Sequence, residues 1–302
     1  LPELPEVTVY VERIRALLAG RRLERLRIFN PFLLRTVDPP PDALAGRVLV
    51  DAGRIGKRIV LSFEGDLHAV IHLMTAGRLR WRRAGAAPPG RRGLAAFDFE
   101  TGTLLLTEEG SKRRASLHLV AGREGLDRFR RGGVDLLSTG PEDLAAALRR
   151  ANRTLKRALT DPAVVDGIGN AWSDEILYRA RLSPFKQTAS LGDDEVARLH
   201  AAAVQVLEEA IRVQLAEAGT GFPEKVTAFH PSMRVHGRYG RPCPECGAPI
   251  QRIVYAENEA NYCPGCQTGG RIYADRALSR LLKGDWPRTL EELEEWPPRG
   301  GR

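Results

Sequence analysis

Cys243-Pro244-Glu245-Cys246-Gly247 and Cys263-Pro264-Gly265-Cys266, with sixteen residues between the inner cysteines, spell C-x2-C-x16-C-x2-C. Each pair lies in turn-forming sequence, so each folds back and aims two thiolates at one point. Four thiolates at about 2.3 Å satisfy a tetrahedral Zn2+ and leave no open position. One structural zinc is therefore expected on Cys243, Cys246, Cys263 and Cys266, which are all the cysteines the chain has. The spacer from Ile250 to Tyr262 is long enough for a hairpin. A zinc ribbon of this kind does not by itself name a partner. The six histidines, His68, His72, His118, His200, His230 and His236, show no ligand spacing and read as packing or phosphate contacts.

Upstream of the ribbon the chain is helical. Glu142–Asn152, Thr154–Asp161, Ala171–Arg181 and a long stretch from Asp193 to about Gly219 carry helical patterns. In the last, Val196, Leu199, Ala203, Val206, Ala210 and Val213 make one continuous apolar face. Before residue 135 the pattern is different. Val7, Tyr10, Val11, Ile14, Leu17 and Leu18 fall at helical spacing after Pro5, with Gly20 placed to end the helix. Then come β-type runs at Arg22–Phe29, Arg47–Asp51, Arg58–Phe63, Leu67–Met74, Leu79–Arg83 and Ala95–Glu108, with a turn at Glu100-Thr101-Gly102. The expected organisation is α+β: a β-sandwich with a leading helix over 1–134, a helical domain over 135–235, and a zinc finger with a helical extension over 236–302. Thr289 and Glu292 form a capping-box pattern ahead of Leu293 and Trp296 in that extension.

Lysine and arginine outnumber acids by 46 to 38, for a net charge of +8. Such an excess suits a polyanionic partner, although mild basicity is also common in arginine-rich chains. No apolar run approaches the ~18 residues of a membrane span. The first ten residues lack the basic, apolar pattern of a signal peptide, so the cytoplasm is the expected compartment.

Leu1-Pro2-Glu3-Leu4-Pro5-Glu6 permits two readings. One is a solvated terminus before a helix whose N-terminal dipole suits acids. The other makes Pro2 the first residue of the working protein, Leu1 being a start residue or one removed by processing. A terminal amine has a pKa near 7.7–8.0, so about a third is neutral at pH 7.5, a few hundred-fold more than for lysine. A secondary amine that attacks a sugar C1′ forms a cationic imine directly, and Glu3 is placed to move protons.

Taken in order, Pro2-Glu3-Leu4-Pro5-Glu6-Val7, Gly56-Lys57, Lys156 ahead of Gly167-Ile168-Gly169-Asn170, Asp174-Glu175-Ile176-Leu177 and the ribbon ending Cys263-Pro264-Gly265-Cys266-Gln267 resemble the formamidopyrimidine-DNA glycosylase / endonuclease VIII family. The resemblance spans nearly the whole chain. It implies a β-sandwich, a helix–two-turn–helix domain and a zinc finger, with damaged DNA in the cleft between. It also implies a monomer acting on the nucleoid, needing no redox cofactor or nucleotide. By the same resemblance Pro2 is the nucleophile, Glu3 the general acid/base and Lys57 a phosphate or sugar contact. Glu6 shapes the site, Asn170 binds backbone phosphate and Lys156 lies near the extruded base. The two glycines before Asn170 have a physical sense of their own, since they let backbone N–H groups approach a phosphate. Taken alone, that turn could equally be an ordinary helix connection, and Lys156 a solvated helix charge.

Three departures stand out. The arginine usual five residues before the third cysteine is Asn258 here, between Glu257 and Glu259. Arg113-Arg114 is followed by Ala115 where relatives carry a phenylalanine wedge. The family's H-L-G-M reads His72-Leu73-Met74-Thr75. Arg113 is left as the intercalating candidate, with Arg114 beside it on DNA, and Ala115→Phe is expected to improve action on paired duplex. The expected activity is a bifunctional glycosylase and abasic-site lyase for formamidopyrimidines and 8-oxoguanine, working by β,δ-elimination. Three alternatives stand beside it: an enzyme for oxidised pyrimidines, a catalytically silent zinc-ribbon DNA-binding protein, and a tautomerase using Pro2 as a base.

Overall fold

Glu3 starts the first helix, α1 (Leu4–Leu18), as its N-cap, with Pro5 in the first turn and the left-handed Gly20 (φ +79°) just past its end. The computed structural model describes residues 2–110, 112–224, 226–227, 229–255, 258–274 and 287–294. Leu1, Glu257 and Trp296, each given a part in the sequence reading, lie outside the described residues. The chain divides into two compact units, 1–133 with 207–228, and 134–206 with 229–302.

In the first unit, α1 buries Val7, Tyr10, Val11, Ile14 and Leu18 completely or nearly so, the face its three-and-four spacing specifies. Eight strands follow: β1 (Leu23–Ile28), β2 (Leu49–Ile55), β3 (Arg58–Phe63), β4 (Leu67–His72), β5 (Gly77–Arg82), β6 (Gly93–Phe99), β7 (Gly102–Glu108) and β8 (Ser116–Ala121). They form two four-stranded antiparallel sheets, in the orders β1-β6-β7-β5 and β2-β3-β4-β8. Alternate residues from both sheets share one core: Ile59, Leu61 and Phe63 from β3, Ala69 and Ile71 from β4, Phe97 and Phe99 from β6, Leu104 and Leu106 from β7, Leu117 and Leu119 from β8. Val60, Val70 and Val120 point the other way. With Ile55 they make a second cluster, covered by Leu126 of α2 (Gly122–Asp127) and by Phe129. That double burial is why β3 and β4 read as continuous apolar runs rather than alternating ones. The turn at Glu100-Thr101-Gly102 is the β6–β7 hairpin, with Phe99 opposite Gly102. The sequence reading stopped its strands at Glu108 and missed β8, although Leu117 and Leu119 alternate about His118.

The second unit holds α3 (Pro141–Arg149), α4 (Leu155–Thr160), α5 (Asn170–Arg179) and the first half of α6 (Asp193–Ala218), whose second half belongs to the first unit. The predicted α6 face is buried through Ala210. Its next buried position is Gln214, while Val213 is only partly covered. The spacer between the cysteine pairs is the expected hairpin, β9 (Gln251–Tyr255) paired with β10 (Asn258–Tyr262). A single turn, α7 (Pro264–Gln267), follows. Beyond it Tyr273 packs against Phe185 with ring centroids 4.4 Å apart, and its N–H donates to the Tyr262 hydroxyl at 2.9 Å. The last described helix is α8 (Leu290–Glu294). Its start carries half of the predicted box: Thr289 Oγ1 accepts from the Glu292 N–H at 3.2 Å, while Glu292 Oε2 accepts from the N–H of Arg288, one residue before Thr289, at 2.6 Å.

Candidate active site

The N-terminal motif is a helix cap built from carboxylates. Glu3 is the N-cap, and Glu6 Oε2 accepts from the Glu3 N–H at 2.8 Å. Glu6 is fully buried, and its other oxygen accepts from Gln214 Nε2 at 3.0 Å. Pro2 and Glu3 are buried as well. Burying two carboxylates is costly unless each is hydrogen-bonded. For Glu6 the bonds from the Glu3 N–H and from Gln214 supply that here, and the first fixes the chain direction just past the nitrogen of Pro2.

Lys57 is the second residue of the two-residue β2–β3 turn. Gly56 before it has φ +57°, a conformation that favours glycine. Arg58 lies directly across the ladder from His72. Burial, then the charges of Arg58, Lys57 and His118, push the His72 imidazole down to about 4. His72 is thus neutral at pH 7 and carries a linkage consequence. Above about 6.5, folded and unfolded chains are both neutral at this site and its contribution is fully present. Between about 6.5 and about 4 only the unfolded chain takes up the proton, so stability falls as pH falls, by up to about 3 kcal/mol. The unfolding free energy measured across that window should flatten in His72→Asn; an unchanged pH curve in the variant would remove His72 as the cause.

The structure corrects the reading of Ala115. The buried Glu108 carboxylate accepts from the backbone N–H of Arg114 at 2.9 Å and of Ala115 at 3.3 Å. This holds Ala115 in the sandwich core at 4% exposure. A benzyl group there meets packed side chains rather than a base stack. Ala115→Phe is therefore expected to destabilise by about 1–3 kcal/mol, read as a lower melting temperature, and not to improve action on duplex. Arg113 is exposed and donates from Nη2 to the Arg91 carbonyl. Met74 takes a left-handed conformation (φ +51°) at the position where H-L-G-M has glycine. Displacing the methionine by one residue thus leaves a side chain in a backbone region that costs of order 1–3 kcal/mol.

In the second unit, Gly167 (φ +80°) and Gly169, the N-cap of α5, form the turn that presents Asn170 as the first residue of that helix. Lys156 is neither solvated nor open to an incoming base. It is buried, and its Nζ donates to the Asn170 carbonyl at 2.6 Å, to Ser173 Oγ at 2.9 Å and to Asp174 Oδ1 at 2.6 Å, which uses all three of its protons. Asp174 Oδ2 accepts from Asn261 Nδ2 at 3.0 Å and lies 2.8 Å from His236 Nδ1. Glu175 beside it accepts from three successive backbone N–H groups, those of Arg234, Val235 and His236, at 2.8–2.9 Å. Burial pushes the Glu175 carboxyl up, and those three bonds oppose the shift.

Among the described residues, the four cysteines are the one cluster that could hold a metal ion, with all four sulfurs within 4.8 Å of one another. Tetrahedral zinc at about 2.3 Å from each sulfur calls for sulfur pairs about 3.8 Å apart. The Cys243–Cys266 and Cys246–Cys263 pairs, at 3.9 and 3.3 Å, bracket that value. A Cβ at Gly265 would stand 3.0 Å from Cys246 Sγ, so glycine keeps room for the thiolate. The donor set fits zinc and leaves no position for a substrate.

Residues 1–115 match the formamidopyrimidine-DNA glycosylase N-terminal domain, 137–220 its H2TH domain, and 240–269 the zinc finger found in FPG and IleRS. The formamidopyrimidine-DNA glycosylase of Solibacter usitatus is 33% identical over 275 residues, covering 88% of this chain and 99% of that protein. The chain belongs to the formamidopyrimidine-DNA glycosylase family. The enzyme of that name from Thermus thermophilus is 32% identical over 289 residues, covering 89% of this chain and all of that protein. In fold the chain is similar to the Lactococcus lactis Fpg solved with abasic-site DNA (TM-score 0.79, 23% identity, 88% of this chain and 99% of that one). The Gly270–Arg302 extension lies past the last segment matched by the family domains.

Gln214 and Asn261 carried no signal in the sequence reading, and Asn258 and His236 were noticed without these partners. Gln214 is polar on an apolar helix face, a mark that a search for buried polar positions would have caught. His236, Asn261 and Asn258 join the H2TH turn only through tertiary contacts, which local spacing does not reveal.

Proposed function

We propose that this chain is a bifunctional DNA glycosylase and abasic-site lyase that removes oxidised bases, with Pro2 as nucleophile. The observation that carries the reading is the buried Glu3–Glu6 cap, which fixes the backbone immediately after Pro2. Such a cap orients a terminal secondary amine without occupying its lone pair. That amine attacks C1′, the base departs with a proton, and a cationic imine joins Pro2 to the sugar. Glu3 moves protons to and from the opening sugar. The imine then acidifies the neighbouring C–H, and β- and δ-elimination break the two flanking C–O bonds. Hydrolysis of the imine returns the amine. In this reading Lys57 and Arg113 meet the DNA near the lesion with Arg114 alongside, Asn170 holds a backbone phosphate, and Glu6 shapes the site. Lys156 acts on Asn170 rather than on DNA.

The proposed catalytic domain is 1–134, the DNA-binding domain 135–235 and the zinc finger 236–302. Cys243, Cys246, Cys263 and Cys266 would hold one zinc, which supplies folding free energy and no chemistry. The net charge of +8 supports a phosphate-rich partner. The chain is taken to act as a monomer on the nucleoid. Formamidopyrimidines and 8-oxoguanine are the proposed lesions. Borohydride trapping on abasic-site duplex tests the chemistry, and a panel of single-lesion duplexes tests the choice of base. A covalent adduct and preferential release of oxidised purines are expected. Absence of any adduct would leave a silent DNA-binding protein, and faster release of oxidised pyrimidines would assign the other branch.

A further inference from the structure

Asn170 is held at both of its polar ends. Its main-chain carbonyl accepts from Lys156 Nζ at 2.6 Å, and its side-chain Nδ2 donates to Asn258 Oδ1 at 2.9 Å. The two holds come from different parts of the sequence but are joined to each other. Lys156 pairs with Asp174, Asp174 accepts from Asn261, and Asn261 lies on β10 three residues beyond Asn258. Bonds therefore run in a closed ring from the Asn170 carbonyl through Lys156, Asp174 and Asn261, along β10, and back to the Asn170 amide. The buried part of the ring is rigid, because Lys156 has spent its three protons and Asp174 is almost completely buried. Asn258, at its outer end, is exposed.

We propose that Asn258 is a positioning residue, through which the zinc hairpin sets the orientation of the Asn170 amide for its phosphate contact. This rests on the reading of Asn170 as a phosphate contact. A half-exposed asparagine samples several rotamers, and its amide is equally at home with oxygen or nitrogen outward. A phosphate oxygen accepts only from nitrogen. In this pairing Asn258 accepts one N–H of Asn170, which narrows the rotamers of that side chain and leaves the second N–H to donate in a set direction. Ordering a side chain on binding costs conformational entropy. Here that ordering is done before the DNA arrives. The hairpin thus contributes to the backbone grip without placing a cation of its own at this position.

The test is a double-mutant cycle read as Kd for a duplex carrying a tetrahydrofuran abasic-site analogue, which needs binding but no catalysis. Asn258→Ala should raise Kd about three- to tenfold, the range of one ordinary hydrogen bond. In an Asn170→Ala background the same change should have little effect, because the residue being oriented is gone. The loss should appear in Kd and KM rather than in the saturated single-turnover rate. Zinc content and melting temperature should hold, since Asn258 is exposed. Equal losses in both backgrounds would make Asn258 an independent DNA contact and overturn the proposal. No loss from Asn258→Ala, while Asn170→Ala weakens binding, would overturn it too. If Asn170→Ala itself binds as wild type, the phosphate reading of Asn170 fails and the proposal falls with it.

Discussion

A chain that retains a residue acylating Pro2 is expected to give no borohydride adduct with abasic-site DNA, whereas the form beginning at Pro2 traps readily. With a residue in front, the proline nitrogen is a tertiary amide and its lone pair is delocalised into the carbonyl. It can neither take a proton nor form an imine. The effect should be all-or-none in trapping. Kd for a tetrahydrofuran duplex, zinc content and melting temperature should change little, because Lys57, Asn170 and the four cysteines lie elsewhere in the chain. Intact-mass analysis of active protein, beside a variant engineered to keep one residue before Pro2, makes the comparison. Equal trapping by the two forms would eliminate Pro2 as the nucleophile and direct attention to Lys57.

The second large effect concerns the ribbon. Cys263→Ser should release the metal and destabilise the unit that contains 134–206 and 229–302. Structural zinc sites contribute about 10–16 kcal/mol in isolated fingers near neutral pH. Cys263 is fully buried against Tyr178, Val235 and Ile250, so losing the metal also loosens an apolar cluster. Freshly purified protein should contain one zinc per chain, and the variant well under one. The variant should also show an early, partial thermal transition, since the β-sandwich has a core of its own. Well under one zinc in fresh wild-type protein, or a Cys263→Ser variant that melts like wild type, would refute the structural role.

Elements with a strong local signal were legible from the sequence. The α1 face, the β6–β7 hairpin, the long α6 and the cysteine ribbon all declare themselves through spacing, because each repeats every two, three or four residues or uses a ligand geometry. What stayed hidden depends on partners distant in sequence. Lys156 looks like any helix lysine until Asp174 and the α5 start are brought against it. Ala115 looks like a missing wedge because the motif says what relatives place there, while its burial comes from Glu108 pinning the backbone above the core. Gln214 sits on a face that periodicity marks as apolar, and only the Glu6 carboxylate explains it. Strand β8, six residues long like β1, β3, β4 and β5, does carry a period-two signal in Leu117 and Leu119 about His118, and the sequence reading passed over it.

The helix cap at Glu3 and Glu6 also bears on how this protein can change over generations. Glu3 and Glu6 begin α1 and, on the proposed mechanism, also orient the reacting terminus, so selection on folding protects them even where selection on catalysis has lapsed. A descendant that abandons base excision would be under no pressure to keep a proline at position 2. It would still suffer if Glu6 drifted, because a buried donor on Gln214 and the first turn of the helix would lose their partner together. Among distant homologues, Glu6 should therefore outlast Pro2. Comparing where each disappears would separate lineages that lost the chemistry from those that lost the fold.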